Sequence, residues 1–189
     1  MNILSQLKSA TQPYHNELEC RGIFSRLLSS QLSQEEYRAA LLVLLGLHQN
    51  AEPAIIRFLA PDFLSAAGFE SFIPFIYQDL GIRYSEPADA SELGFANAGE
   101  SLGALYVVMG SALGSREIIR HLRQHRGLRD AGERFAYYTA LSEKADSWKS
   151  FMAGFEGEFV RTGADADAVI RGAIAAFRYL TEQRPTEVS

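Results

Sequence analysis

The 189-residue chain is 47% hydrophobic and 22% charged, which excludes extended disorder and supports one sizeable core. Its formal charge of −5 and its pI near 5.4 argue against nucleic acid or an acidic membrane as partner. The single cysteine, Cys20, excludes an internal disulfide or a multi-cysteine metal site and fits a reducing compartment.

Residues 1–7 lack the basic segment and apolar core of a secretory signal. The longest apolar stretches, 39–47 and 103–114, fall short of the roughly 20 residues that cross a bilayer. The expectation is a soluble cytoplasmic protein. Strand-like alternation is scarce and helical spacing recurs almost throughout, so the predicted fold is all-α. One domain covers residues 1–183, followed by a frayed tail at 184–189.

A first helix is predicted over residues 2–20. Leu4, Leu7, Thr11, His15 and Leu18 share one broad face, and Pro13 predicts a kink or a fresh start. Ser33 with Glu36 has the capping-box form and launches a long helix. Its buried side carries Tyr37, Leu41, Leu44, Leu45, Ile55 and Leu59, Pro53 is a point of bending, and Pro61 with Asp62 closes it. A shorter helix is expected over 70–80, ending at Gly81, and then a loop over 82–92. A long helix follows over 97–125, stopped near Gly127. Further helices are expected over 129–143, continuing toward 156, and over 165–183 with Asp165 as N-cap.

The 97–125 helix breaks a rule. It contains Gly99, Gly103, Gly110 and Gly114, and each glycine costs about 1 kcal/mol relative to alanine in a helix interior. At about 100° per residue all four lie within about 60° of one another. Such a bare stripe admits either a tightly packed neighbouring helix or a flat ligand.

Among the four histidines, His121 and His125 sit among Arg120, Arg123 and Arg126 at a helix C-terminus. That is a structural arrangement that disfavours a bound cation. His48, flanked by leucines, reads as a packing residue. His15 has Glu19 four residues on and Lys8 seven residues before it. A carboxylate one turn away can hold one imidazole nitrogen and leave the other free as a ligand.

The segment from Leu7 to His15, followed by Glu19, resembles the proximal helix of heme oxygenases. The segment from Gly103 to Gly114 is similar to the glycine-rich distal helix of the bacterial branch, and the order and size also match. Trp148, Phe151, Ala173 and Phe177 are similar to late-helix positions of bacterial members. The resemblance implies a helical bundle with heme between the two helices, and heme serves as both cofactor and substrate. His15 would ligate the iron, Lys8 would pair with a propionate, and Thr11, Glu19 and Tyr106 would complete the binding set. Lys149 and Arg161 are further propionate candidates. Gly110 and Gly114 would cover the distal face, and water near Ser111 would deliver a proton. The implied reaction cleaves a meso carbon with O2 to biliverdin, carbon monoxide and ferrous iron. Electrons would come from a ferredoxin, flavodoxin or reductase, and a phytochrome-type protein is an implied biliverdin acceptor.

Two positions depart from the family pattern. Met109 stands where many bacterial members carry Glu, and Ser115 stands where several carry a second Gly. Ser115 is expected to narrow the distal pocket or to join its water network, whereas Met109 is expected to face a neighbouring helix. Three other readings stay open: a non-catalytic heme carrier or sensor, a thiaminase-like hydrolase using Cys20, and a helical interaction module without a cavity.

Overall fold

A computed structural model describes residues 2–83 and 93–182; most of the expected 82–92 loop and the tail at 184–189 lie outside the described residues. Those residues contain helices and no strand. In chain order the helices are α1 (Ile3–Cys20), α2 (Gln34–Phe58), α3 (Pro61–Ala66), α4 (Ile73–Leu80), α5 (Ala98–Gln124), α6 (Arg126–Asp130), α7 (Ala136–Glu143), α8 (Trp148–Thr162) and α9 (Ala166–Glu182). Short 3-10 turns lie at Phe24–Arg26 and Lys144–Ser147.

Local chemistry sets several ends. Asn2 accepts from the Ser5 N–H to start α1. Ser33 and Glu36 form the expected reciprocal capping box of α2. Asn97 caps α5 by accepting from Glu100 N–H. Gly81 closes α4 at φ 66, a left-handed conformation open to glycine without Cβ strain.

Other ends correct the sequence reading. No fresh start occurs at Pro13, and α1 continues through it: both it and Ser9 are exposed, so the carbonyl that loses its N–H partner faces water. Pro53 likewise lies on an exposed face of an unbroken α2. Pro61 opens α3, where its fixed φ suits the first turn, and Glu158 caps that turn by accepting from Ala60 N–H. The α4 helix begins later than expected because Ser71 Oγ and Phe72 N–H both donate to the buried Glu52 carboxylate. The α5 helix ends at Gln124 with His125 as its C-cap, near the expected stop; Gly127 itself lies inside α6, and Gly132 after it takes φ 82. No single helix runs from 129 toward 156. Phe135 takes φ 59, held there by Asp79, which accepts from Ala136 N–H at 2.6 Å and Tyr137 N–H at 2.9 Å.

The α5 helix is the axis of the core. It packs against α2, α7, α8 and α9, and α1 lies along α9. All six apolar positions expected to be buried on α2 are buried. The α2 and α5 helices are also long and apolar enough to cross a membrane by length and composition, contrary to the expectation from continuous apolar runs. In each, 56% of the qualifying window is buried inside the molecule, so the neighbouring helices already use much of that surface.

Candidate functional site

The α1 and α5 helices both pack along α9 but touch each other little. A cavity of about 520 Å3 opens between them, within the roughly 300–1,000 Å3 range of small-molecule sites. Lys8, Thr11 and His15 reach it from α1, spaced so that one helix face presents all three. Tyr106, Gly110 and Ser111 reach it from α5. Trp148 and Met152 of α8 and Phe177 and Leu180 of α9 supply apolar walls. The early histidine and the mid-chain glycine therefore share one open space.

The hydrogen bonds of the four histidines separate their roles. His48 is 1% exposed, with Nδ1 on Glu52 at 2.9 Å and Nε2 on the Tyr137 hydroxyl at 3.1 Å. The Nε2 atoms of His121 and His125 donate to the carbonyls of Ser29 and Ser30 and fasten that loop. His15 has a side chain 52% exposed at the cavity, and its Nδ1 stands 3.6 Å from Glu19 Oε1. That is a loose electrostatic contact, longer than a hydrogen bond. Glu19 is thus turned to the ring without lining the cavity. The ring's other face meets Phe177 edge-on at 6.1 Å.

The glycine stripe divides between the two uses left open by its spacing. At Gly103 a Cβ would fall 2.0 Å from the Val169 carbonyl oxygen and 2.7 Å from Ala173 N, and at Gly99 2.8 Å from Ala168 Cβ. Gly172 on α9 answers from the other side, where a Cβ would lie 2.1 Å from the Glu100 carbonyl oxygen. This half is helix packing. Gly110, about 10 Å further along the axis, lines the cavity, and a Cβ there would meet only the Trp148 ring edge at 3.6 Å. Gly114 has nothing within 4 Å but does not line the cavity, which corrects its expected place.

Ser111 Oγ donates to the Val108 carbonyl at 2.6 Å. Thr11 Oγ1 donates to the Leu7 carbonyl at 2.8 Å. Burial raises the Tyr106 pKa above the ordinary tyrosine range and outweighs the opposing bond from Thr11, so the phenol stays protonated. Thr11 and Tyr106 line the cavity from α1 and α5.

Several expected positions fall elsewhere. Ser115 is fully buried and donates to the Ala112 carbonyl, so it neither narrows the cavity nor reaches its water. Arg161 is taken by Glu158 and the Phe58 carbonyl, and Lys149 is exposed outside the cavity wall. Met109 is fully buried in the core, as its angular position implies. Phe151 and Ala173 are core residues, whereas Trp148 and Phe177 line the cavity. Cys20 is exposed and outside the wall, which removes the nucleophile of the hydrolase reading. Sequence reasoning missed Met152 and Leu180. Their i, i+4 and i, i+3 relations to Trp148 and Phe177 were the available signal.

The donor set limits what the cavity can hold. Among the described residues no three His, Cys, Asp or Glu side chains come together to hold a free metal ion. A single imidazole suits a metal that brings its other ligands with it, as in a flat macrocycle. Apolar walls with one unpaired ammonium, Lys8, suit a ligand that is flat, greasy and anionic at an edge.

The family model for heme oxygenase matches residues 1–183. A curated protein named heme oxygenase, from Xanthomonas campestris pv. campestris strain 8004, is 35% identical over 109 residues, covering 57% of this chain. The match spans 63% of the length of that relative. No solved structure matches.

Proposed function

Because this chain belongs to the heme oxygenase family, we propose that it binds heme between His15 and Gly110 and cleaves it with O2 to biliverdin, carbon monoxide and ferrous iron. One observation carries the reading: the half-exposed histidine and the bare glycine line the same cavity, with Lys8 on the histidine's helix face.

When bound, heme supplies the iron and the oxygen chemistry, and its own ring is the substrate. The chain supplies position, polarity and exclusion. His15 holds the iron through Nε2, while Glu19 near Nδ1 favours the tautomer with the proton on Nδ1. Lys8 anchors a propionate and limits rotation of the ring in its plane. Gly110 keeps the opposite face free of a side chain. The Ser111 proton is engaged by the Val108 carbonyl. Its oxygen therefore serves as an acceptor that orients water, and the proton comes from that water. Tyr106, kept neutral by burial, lines the cavity with Thr11.

Electrons come from a ferredoxin, flavodoxin or reductase that docks transiently. Biliverdin then passes to an acceptor such as a phytochrome-type protein, and the reaction runs in the cytoplasm. The test is reconstitution with hemin, O2, a ferredoxin, its reductase and NADPH. The expected result is loss of the Soret band with biliverdin recovered by chromatography. A Soret band that persists under turnover defeats the oxygenase reading in favour of a heme carrier or sensor. His15→Ala should abolish the histidine-ligated ferric spectrum, and added imidazole should restore it. An unchanged spectrum in that variant assigns the iron to another ligand.

A further inference from the structure

The chain's single tryptophan takes no part in the site as the family resemblance assigns it, yet it occupies a commanding position. Trp148 opens α8 directly after the 3-10 turn Lys144–Ser147. The far edge of its benzo ring, Cη2 and Cζ3, lies 3.6 and 3.7 Å from the point where a Gly110 Cβ would stand. The indole is therefore seated against the α5 backbone at the cavity glycine. A larger residue at 110 would displace it.

The ring is braced on two sides. Phe151, which is fully buried, stacks beside it with centroids 5.3 Å apart, and Phe151 in turn meets Phe63 at 5.8 Å and Phe155 at 5.6 Å. On the other side Tyr106 lies 5.6 Å away and itself meets Phe155 at 6.3 Å. The result is a continuous aromatic wall from the core through Trp148 to Tyr106. Close-packed rings of this kind resist displacement because each must move its neighbour.

A flat ligand between His15 and Gly110 must bring one edge against this wall. The proposed reaction attacks one edge of the ring, so the edge's identity depends on how the ring is turned. Lys8 pins one point of an anionic rim, and a single pinned point leaves rotation and flipping about it. We propose that Trp148 is the residue that determines specificity: its indole blocks one of the ring's alternative in-plane seatings and thereby selects the meso edge presented at Gly110. It is a positioning residue, and the inference rests on the heme oxygenase reading above.

The test compares the full chain with Trp148→Ala and Trp148→Leu. Proton NMR of the ferric cyanide complex counts heme seatings from the heme methyl resonances, without any turnover. Single-turnover product chromatography then counts biliverdin isomers. With the wall present, one seating and one isomer dominate. Trp148→Ala should raise the minor seating about tenfold, the ratio that a loss of about 1.4 kcal/mol produces, with the minor biliverdin isomer rising in step. Trp148→Leu, which keeps apolar bulk but not ring width, should move both in the same direction by less. It keeps the test decisive should the alanine variant not fold. An unchanged seating ratio in whichever variant folds overturns the assignment to Trp148. If the unsubstituted chain binds heme but makes no biliverdin, the oxygenase reading fails while the seating ratio still decides the role of the wall.

Discussion

Replacing Gly103 with alanine tests the division of the glycine stripe, and Gly114→Ala in the same helix is its internal control. At Gly103 the added methyl meets backbone, not a movable side chain: the Val169 carbonyl oxygen at 2.0 Å and Ala173 N at 2.7 Å. To reach an ordinary contact, α9 must withdraw by roughly 1 Å or more along its tightest seam with α5. That movement would open gaps around Val169, Ala173 and Ala176, all fully buried. Overpacking typically costs about 1–3 kcal/mol and more when backbone must move, against a helix-propensity gain of about 1 kcal/mol. The 2.0 Å approach to backbone puts this site at the upper end, about 3 kcal/mol, so the expected net loss is about 2 kcal/mol, which lowers Tm by roughly 4–8 °C in a chain of this size. Gly114 meets nothing within 4 Å, so only the propensity gain applies and Tm should rise by about 2–4 °C. Thermal melts followed by far-UV circular dichroism, with urea midpoints alongside, measure both. A Gly103→Ala protein as stable as the parent would refute the helix-packing assignment. A Gly114→Ala protein destabilised by more than about 1 kcal/mol would refute the open environment assigned to the end of the stripe.

Two further variants test buried polar groups. Tyr137→Phe leaves His48 Nε2 without the hydroxyl 3.1 Å away, in a site 1% exposed. The expected loss is about 1–3 kcal/mol, read from the urea midpoint, and no loss would mean that this contact contributes nothing. Glu158 is a pH probe: burial pushes its pKa up, but bonds from Arg161 and Ala60 N–H and the Arg161 charge together hold it below its usual 4.5. A depressed carboxylate pKa gives stability that is complete above the unfolded value and lost as pH falls through the folded value. Stability should therefore decline on acidification below about pH 4.5, and Glu158→Gln should flatten that decline. An identical acid limb in the variant would show that Glu158 contributes none of it.

Local signals were legible where the partner lies within a turn. Ser33 with Glu36 and Gly81 mark their helix ends from a few neighbouring residues. The misread ends have distant partners. Glu158 caps the first turn of α3 from 98 residues away, and Asp79 starts α7 from 57 residues away. Without those contacts Pro61 reads as a terminator, and nothing marks Ala136 as a start. The site followed the same rule. The face carrying Lys8, Thr11 and His15 follows from helical spacing, but Arg161 loses its expected role to an ion pair three residues back, with Glu158.

The sequence alone determined the helical class, the face of α1 that bears the histidine, and the existence of a side-chain-free stripe on α5, because helix periodicity fixes which residues share a face. Only tertiary structure decided how that stripe is used. The α9 helix covers its first half at backbone contact and leaves Gly110 facing a cavity walled by Trp148. Four glycines of nearly equal angle thus do different work, since angle is a property of one helix and coverage a property of how several cross.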